Sequence, residues 1–195
     1  MSKFIDIHTH HPSGLAIEPT AVGVHPWDAA SRSISEVEPL VSAADIVGEI
    51  GLDSVCKVEI ERQTTIFREQ LALAERHNKP VVIHCVRTFE QIMKILADYH
   101  LRAVIFHGFI GSPEQAKRAI EKGYFLSFGE PSFPSPRTVL ALEQTPLSSL
   151  FLESDERPVT IEDIYAKAAV IKRVTIDELK NSILENYHKI FNKNE

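Results

Sequence analysis

The chain contains 195 residues, of which 44% are hydrophobic and 25% are charged, and this length predicts a single domain over residues 1–195. The formal net charge is −6, whereas a protein that holds nucleic acid along a phosphate track should be basic, so we expect no extended nucleic-acid-binding surface. We also expect no membrane association, because no apolar run approaches the ~20 residues of a membrane helix and no signal-peptide pattern is seen.

Short apolar runs rich in β-branched residues recur along the chain and predict strands. They lie at 3–7, 21–24, 45–50, 80–84, 103–107, 123–128 and 149–153. The runs are nearly continuous rather than alternating, which is typical of parallel strands covered by helices.

Apolar residues three and four positions apart predict helices between these strands. The helical patterns lie at 57–78, 88–100 and 113–122, and two more fall between 160 and about 192. Ser112 and Pro113 are typical of a helix start, and Gly123 of a helix end. The alternation predicts a parallel α/β fold, either an open doubly wound sheet or a shortened TIM-like (β/α) barrel of up to seven strands.

Side chains that can bind a metal end five of the seven predicted strands. They are His8 and His10 on the first strand, Glu49 on the third, His84 on the fourth, His107 on the fifth and Asp155 just beyond the seventh. The carboxyl ends of parallel strands share one face in such folds, so we expect these side chains to converge. Because His8 and His10 are two residues apart on a strand, we expect them to point the same way.

The composition of this set indicates the chemistry. Four imidazoles and two carboxylates are too many ligands for one tetrahedral zinc ion with an open position, so they favour two divalent ions with a water activated between them. Such a pocket would be positive and would suit attack on a phosphate ester in an otherwise acidic protein. Zn, Mn, Mg, Ni and Fe all remain candidates.

The sequence resembles the TatD family of metal-dependent deoxyribonucleases, within the amidohydrolase-like barrels. The matching motifs run in order along nearly the whole chain: DIHTH at 6–10, GVHPW at 23–27, GEIGLD at 48–53, PVVIHC at 80–85, HGFIGSPEQ from 107, and LFLESD at 150–155. The resemblance implies a barrel in which His8 and His10 hold one ion with Asp155, Glu49 bridges, and His84 with His107 holds the second ion. It also implies that Asp155 takes the proton of the activated water.

The chain departs from the family pattern in places. Only about a dozen residues separate DIHTH from GVHPW, where the family has a further βα unit. Trp27 replaces the second His of the family's HPH motif, Ser154 replaces a Thr, and Gly108 replaces a Cys. None of these changes removes a predicted ligand.

Five further residues are candidates for supporting roles. His25, Trp27 and Arg87 are candidate substrate contacts, with a turn histidine, a packed indole and a surface arginine as the alternatives. Glu153 shares strand parity with Asp155 and is a candidate partner for a ligand histidine. Asp6 shares parity with His8 and is a candidate to orient it.

We therefore predict a metal-dependent hydrolase of phosphodiester bonds, an exonuclease-like DNase that acts on an end or single strand, with Glu49 and Asp155 as catalytic residues. The alternatives are a hydrolase of a small phosphoester, an amide or an aminoacyl ester, and a non-catalytic barrel. Cys56 and Cys85 are too few for a disulfide framework, so we predict a cytoplasmic protein.

Overall fold

The computed structural model describes residues 3–191. In this range six strands are assigned: β1 (Ala21–Val22), β2 (Ile46–Asp53), β3 (Val81–Val86), β4 (Val104–Phe106), β5 (Phe125–Phe128) and β6 (Leu150–Leu152). The α-helices are α1 (Ile34–Val37), α2 (Ile60–Arg76), α3 (Phe89–Leu96), α4 (Pro113–Glu121), α5 (Pro136–Gln144), α6 (Ile161–Lys172) and α7 (Ile176–Phe191). None of the helices within this range has both the length and the hydropathy needed to cross a membrane.

The chain forms two compact units. Unit 1 takes the described residues up to Pro19 and those from His107 onward, and unit 2 is Thr20–Phe106. The prediction of one domain over the whole chain stays a prediction.

Unit 2 is built on four parallel strands. β1 pairs with β2, β2 with β3, and β3 with β4. The register of β2 against β3 shifts between Val47 and Ile50, and such irregularities re-aim side chains near functional sites. Glu49 lies within this irregularity, so its direction could not be read from simple strand alternation.

Helix α2 lies against the sheet of unit 2 and buries one face. Phe67, Leu71 and Ala74, predicted at helical spacing, are all fully buried, and burial of Phe67 or Leu71 stabilises the fold by roughly 1.5–3 kcal/mol each. The same helix also buries the amides of Gln63 and Gln70.

Unit 1 contains the parallel pair β5 and β6, in which Leu126 lies opposite Leu150. The prediction of a strand at 3–7 is wrong. This segment forms no regular strand, and residues 5 and 9 instead make isolated bridges to Ile17 and Asp155. Its backbone bends at residues 7 and 8, which interrupts the ladder. The amide of Ile7 still donates to the carbonyl of Leu152 at 3.2 Å, so the segment follows the end of β6.

The helix boundaries reflect their capping residues. Ser112 caps α4 through the amide of Gln115, Pro113 is its first residue, and Gly123 follows with a φ of +78°, as predicted. Sequence reasoning missed α5, although Ser135 caps it and Ser135-Pro136 repeats the Ser-Pro signal that located α4.

Candidate functional site

The predicted ligands of unit 1 come together at the end of β6. Donor atoms of His8, His107 and Asp155 all lie within 4.8 Å of one another. His10 Nε2 and His8 Nε2 lie 3.6 Å and 3.7 Å from Asp155 Oδ1. We call His8, His10, His107 and Asp155 the first ligand group.

Backbone hydrogen bonds set the position of Asp155. Its amide donates to the carbonyl of His8 at 3.0 Å, and its carbonyl accepts from the amide of His10 at 3.1 Å. Asp155 has a left-handed backbone with φ of +55°, a conformation that Asp tolerates better than most residues. The two histidines are thereby fixed beside the carboxylate by main-chain contacts.

Glu153 lies behind the first ligand group. Its carboxylate is fully buried and accepts from the amide of Gly108 at 2.7 Å, while its Oε1 is 3.1 Å from His107 Nδ1. Burial alone would raise the pKa of Glu153, but the charge and hydrogen bond of His107, with His8 nearby, hold it below the usual value. A carboxylate on Nδ1 orients a ligand histidine and leaves Nε2 for an ion, which is the contact expected of the role predicted for Glu153.

Asp6 connects the first segment to the turn that carries Asp155. Its carboxylate accepts from the amide of Ser154 at 3.0 Å and from the Ser154 hydroxyl at 2.6 Å. Burial raises the pKa of Asp6 to about 7, against the opposing effect of these bonds. Ser154, which replaces the family's Thr, retains the hydroxyl that this connection uses.

A second ligand group lies in unit 2 and consists of His25, Glu49 and His84. Their donor atoms lie within 4.8 Å of one another. His25 Nε2 is 3.3 Å from Glu49 Oε1 and 3.3 Å from His84 Nδ1, and His84 Nδ1 makes a short hydrogen bond with Glu49 Oε1. His25, predicted as a substrate contact, thus lies directly against two predicted ligands.

Asp53, at the end of β2, was not among the residues predicted from the sequence. Its Oδ2 accepts from the indole Nε1 of Trp27 at 2.6 Å and lies 3.5 Å from His84 Nε2. Burial would raise the pKa of Asp53, but the hydrogen bonds from Trp27 and the Val55 amide and the nearby His84 lower it. Asp53 is the last residue of the GEIGLD motif and of β2, and this position at the carboxyl end of a parallel strand is the signal that could have identified it.

Two buried glutamines of α2 hold the backbone around the second ligand group. The amide of Gln63 accepts from the N–H of Asp53 at 2.8 Å and donates to its carbonyl at 2.9 Å. Gln70 does the same for Val24, at 2.6 Å and 3.1 Å. Each side chain pairs the N–H and the carbonyl of the residue it holds, as a neighbouring strand would on that side, and both were missed because nothing in the helix sequence indicates the partner.

Arg87 and Trp27 are both exposed at the surface of unit 2. Arg87 directly follows β3 and has a φ of +55°. The backbone amide of Trp27 donates to His25 Nδ1 at 3.2 Å, so the HPW motif is fixed in a short turn of 3₁₀ helix, Pro26–Asp28.

Each ligand group suits a divalent cation on the chemistry of its donors. Both combine imidazole nitrogens with a carboxylate, a mixed set that binds Zn, Mn, Fe or Ni. The geometry places His107 with His8 and Asp155, and His84 with Glu49 and His25. The assignment implied by the family resemblance, in which His84 and His107 share an ion, stays a prediction.

Parallel strands that end in histidines and carboxylates define the class of this protein as a metal-dependent hydrolase of the TIM-like α/β type. A family model described as TatD related DNase matches residues 18–192. The chain belongs to this family, as the sequence motifs predicted.

Several relatives cover most of the chain. YjjV of Escherichia coli (strain K12), described as an uncharacterized metal-dependent hydrolase, is 32% identical over 88% of this chain and 76% of that protein. YabD of Bacillus subtilis (strain 168), with the same description, is 29% identical over 89% of this chain and 77% of that protein. Deoxyribonuclease TATDN3 of Homo sapiens is 24% identical over 92% of this chain and 73% of that protein.

The crystal structure of YjjV, a TatD homologue, matches with a TM-score of 0.81 at 29% identity, over 90% of this chain and 77% of that chain. This likeness confirms the predicted fold class. Because about a quarter of the YjjV chain has no counterpart in the match, the prediction of a shortened member is also consistent with it.

Proposed function

We propose that the chain is a nuclease that hydrolyses phosphodiester bonds at an end or in a single strand of DNA. The observation that carries the proposal is the convergence of histidine and carboxylate donors. Those of His8, His107 and Asp155 lie within 4.8 Å of one another, and so do those of the second ligand group. The similarity to a human protein named as a deoxyribonuclease supports the choice of bond.

We propose that two divalent cations are held, one by the first ligand group and one by the second. Such cations supply an activated water and stabilise the charge that develops on a phosphate. The bridging role of Glu49 and the identity of the metal, among Zn, Mg, Mn, Ni and Fe, belong to this proposal.

Other side chains are proposed to orient the ligand histidines, accept a proton and contact the phosphate. Glu153 would keep His107 in one tautomer, and Asp53 would keep His84 oriented through its Nε2. Asp155 is a quarter exposed and lies within 3.7 Å of two histidines, so it could accept the proton released when water attacks. Arg87 is proposed to contact the phosphate, and His25, predicted from the sequence as a substrate contact, is proposed instead as a ligand in the second group.

The test starts from metal analysis of the purified chain, which should give about two ions per chain. His107→Ala should lose an ion from the first group, and His84→Ala one from the second. The purified chain should shorten 3′-labelled single-stranded DNA, and Asp155→Asn should slow this reaction by roughly 10²–10⁴-fold.

Asp98→Asn is the matched control, because Asp98 is an exposed aspartate paired with Arg68 outside both groups. Its rate should equal that of the unchanged chain. Unaltered nuclease activity in Asp155→Asn or Glu49→Ala would refute the assigned roles. Hydrolysis of a small phosphoester, amide or aminoacyl ester without any cleavage of DNA would replace the proposed substrate by one of the alternatives.

We also propose that the protein works in the cytoplasm. Neither Cys56 nor Cys85 is in a disulfide, which agrees with a reducing compartment. Immunofluorescence or fractionation of the tagged full chain would test this, and recovery with an exported fraction would contradict it.

A further inference from the structure

The indole of Trp27 is unusually exposed for a side chain beside so many ionisable groups. It is 61% exposed, yet it lies in unit 2 next to the second ligand group. Its ring centroid is 4.9 Å from that of His25 at 88° and 6.4 Å from that of His84. Burial in the core therefore does not explain the position of this ring, and its other contacts need an explanation.

The ring is held in place by its polar edge. Nε1 donates to Asp53 Oδ2 at 2.6 Å, and Asp53 is itself only 4% exposed. The other carboxylate oxygen of Asp53 accepts from the Val55 amide at 2.7 Å, so the acceptor is fixed from both sides. Since the indole orientation is set before any ligand arrives, a ligand that packs on the ring would immobilise little additional side chain.

The N–H is the one polar group of the planar indole and is directed at Asp53, so the rest of the ring is apolar. Bases stack on such surfaces with little regard to sequence. A chain with a net charge of −6 gains little general attraction for a phosphate backbone. Stacking would supply affinity that does not depend on charge.

We infer that Trp27 is a stacking platform for a nucleobase of the DNA end whose phosphate approaches the second ligand group. The inference rests on the proposed function and names the part of the substrate that this site recognises. It also gives a role to the residue that departs from the family's HPH motif. Recognition of the base would make a nucleotide at a strand end a better substrate than a bare phosphodiester.

The chain contains one tryptophan, so its fluorescence reports on this residue alone. Titration of the metal-loaded protein with a phosphorothioate oligothymidylate, which resists hydrolysis, should quench the emission. An abasic oligomer of the same length and charge should cause little quenching. Trp27→Ala should bind the oligothymidylate roughly 5- to 150-fold more weakly by fluorescence anisotropy of a labelled strand, with little change for the abasic strand.

Two further variants separate stacking from stability. Trp27→Phe keeps a ring but loses the bond to Asp53, and its affinity should fall between those of the unchanged chain and Trp27→Ala. Leu40→Ala, at an apolar side chain that is 54% exposed and outside both ligand groups, should bind both strands as the unchanged chain does. In steady state the Trp27→Ala change should act mainly on KM, since the metal ligands are unaltered.

The outcomes distinguish this inference from the proposed function. Cleavage of DNA together with unquenched fluorescence and equal binding of both strands would overturn the stacking inference alone. If the metal-loaded chain neither binds nor cleaves DNA, the proposed function fails and this inference fails with it. Equal loss of binding for both strands in Trp27→Ala would also overturn it, because the residue would then act through the fold.

Discussion

Gln70 offers a sharp test of how helix α2 holds the segment that carries His25. Its side chain is fully buried, and its amide makes both backbone hydrogen bonds of Val24, at 2.6 Å and 3.1 Å. Gln70→Leu keeps the approximate size of the side chain and removes both partners. The N–H and carbonyl of Val24 would then lose these bonds at a site where Val24 is itself 1% exposed.

The expected magnitude follows from these two groups. An unsatisfied buried donor or acceptor costs about 1–3 kcal/mol, and the added apolar contact of Leu offsets part of the sum. We therefore expect Gln70→Leu to lower the free energy of unfolding by about 2–4 kcal/mol, which for a chain of this size lowers Tm by roughly 4–16 °C. Because Val24 precedes His25, metal content and activity should fall at temperatures where the variant is still folded.

Urea unfolding followed by circular dichroism measures the change in free energy. Gln91→Leu is the matched control, since Gln91 is exposed and its amide donates only to Thr64 at the surface; we expect its stability to change by no more than about 0.5 kcal/mol. If Gln70→Leu were as stable as this control, the reasoning from paired backbone groups would be refuted.

Three further changes test contacts elsewhere in the molecule. The hydroxyl of Tyr165 donates to the carbonyl of Ile5 at 3.0 Å, and Tyr165→Phe should lower the free energy of unfolding by about 1–2 kcal/mol, whereas an unchanged urea midpoint would contradict this. Lys172 Nζ donates to the carbonyls of residues 142 and 143 at the end of α5, so Lys172→Met should destabilise the chain by about 1 kcal/mol in thermal unfolding, and a gain in Tm would count against it. Burial would raise the pKa of Glu18, but hydrogen bonds from Ser13 and Gly14 lower it. Its contribution is therefore present above the unfolded pKa and lost as pH falls through the folded value; the stability gap between Glu18→Gln and the unchanged chain should be at most about 1 kcal/mol at pH 7 and close toward pH 3, and a gap that widens in acid would refute this.

The strands that the sequence predicted are those whose signal is local. Near-continuous apolar runs such as the one in β3 are buried on both faces wherever they pair, so their composition is enough to identify them. The run at 3–7 has the same composition and failed as a strand. Its backbone hydrogen bonds are made with Ile17 and with Leu152 at the end of β6, and neither partner could be inferred from the run itself.

The same distinction explains the candidate ligands. His84 and His107 follow apolar runs, so a rule about strand ends was enough to select them. Asp53 also ends a strand, but from the sequence it resembled an ordinary turn residue. Its role depends on a hydrogen bond from the indole of Trp27, which lies 26 positions earlier. The sequence does not show which hydrogen-bond partner each polar side chain has in the fold, and that partner decides the role of the side chain.

Gln63 and Gln70 extend this argument from ligands to the scaffold. On a helix whose face is otherwise apolar, a buried glutamine should be destabilising unless its amide is paired. Seven residues apart, the two lie near the same face of α2, and each carries a reciprocal pair of hydrogen bonds to one residue beside the second ligand group. A polar residue that interrupts an apolar helix face at this spacing is therefore a signal for backbone groups that the helix itself must pair. Here these groups belong to Val24 and Asp53, which adjoin the chemistry proposed for His25 and His84.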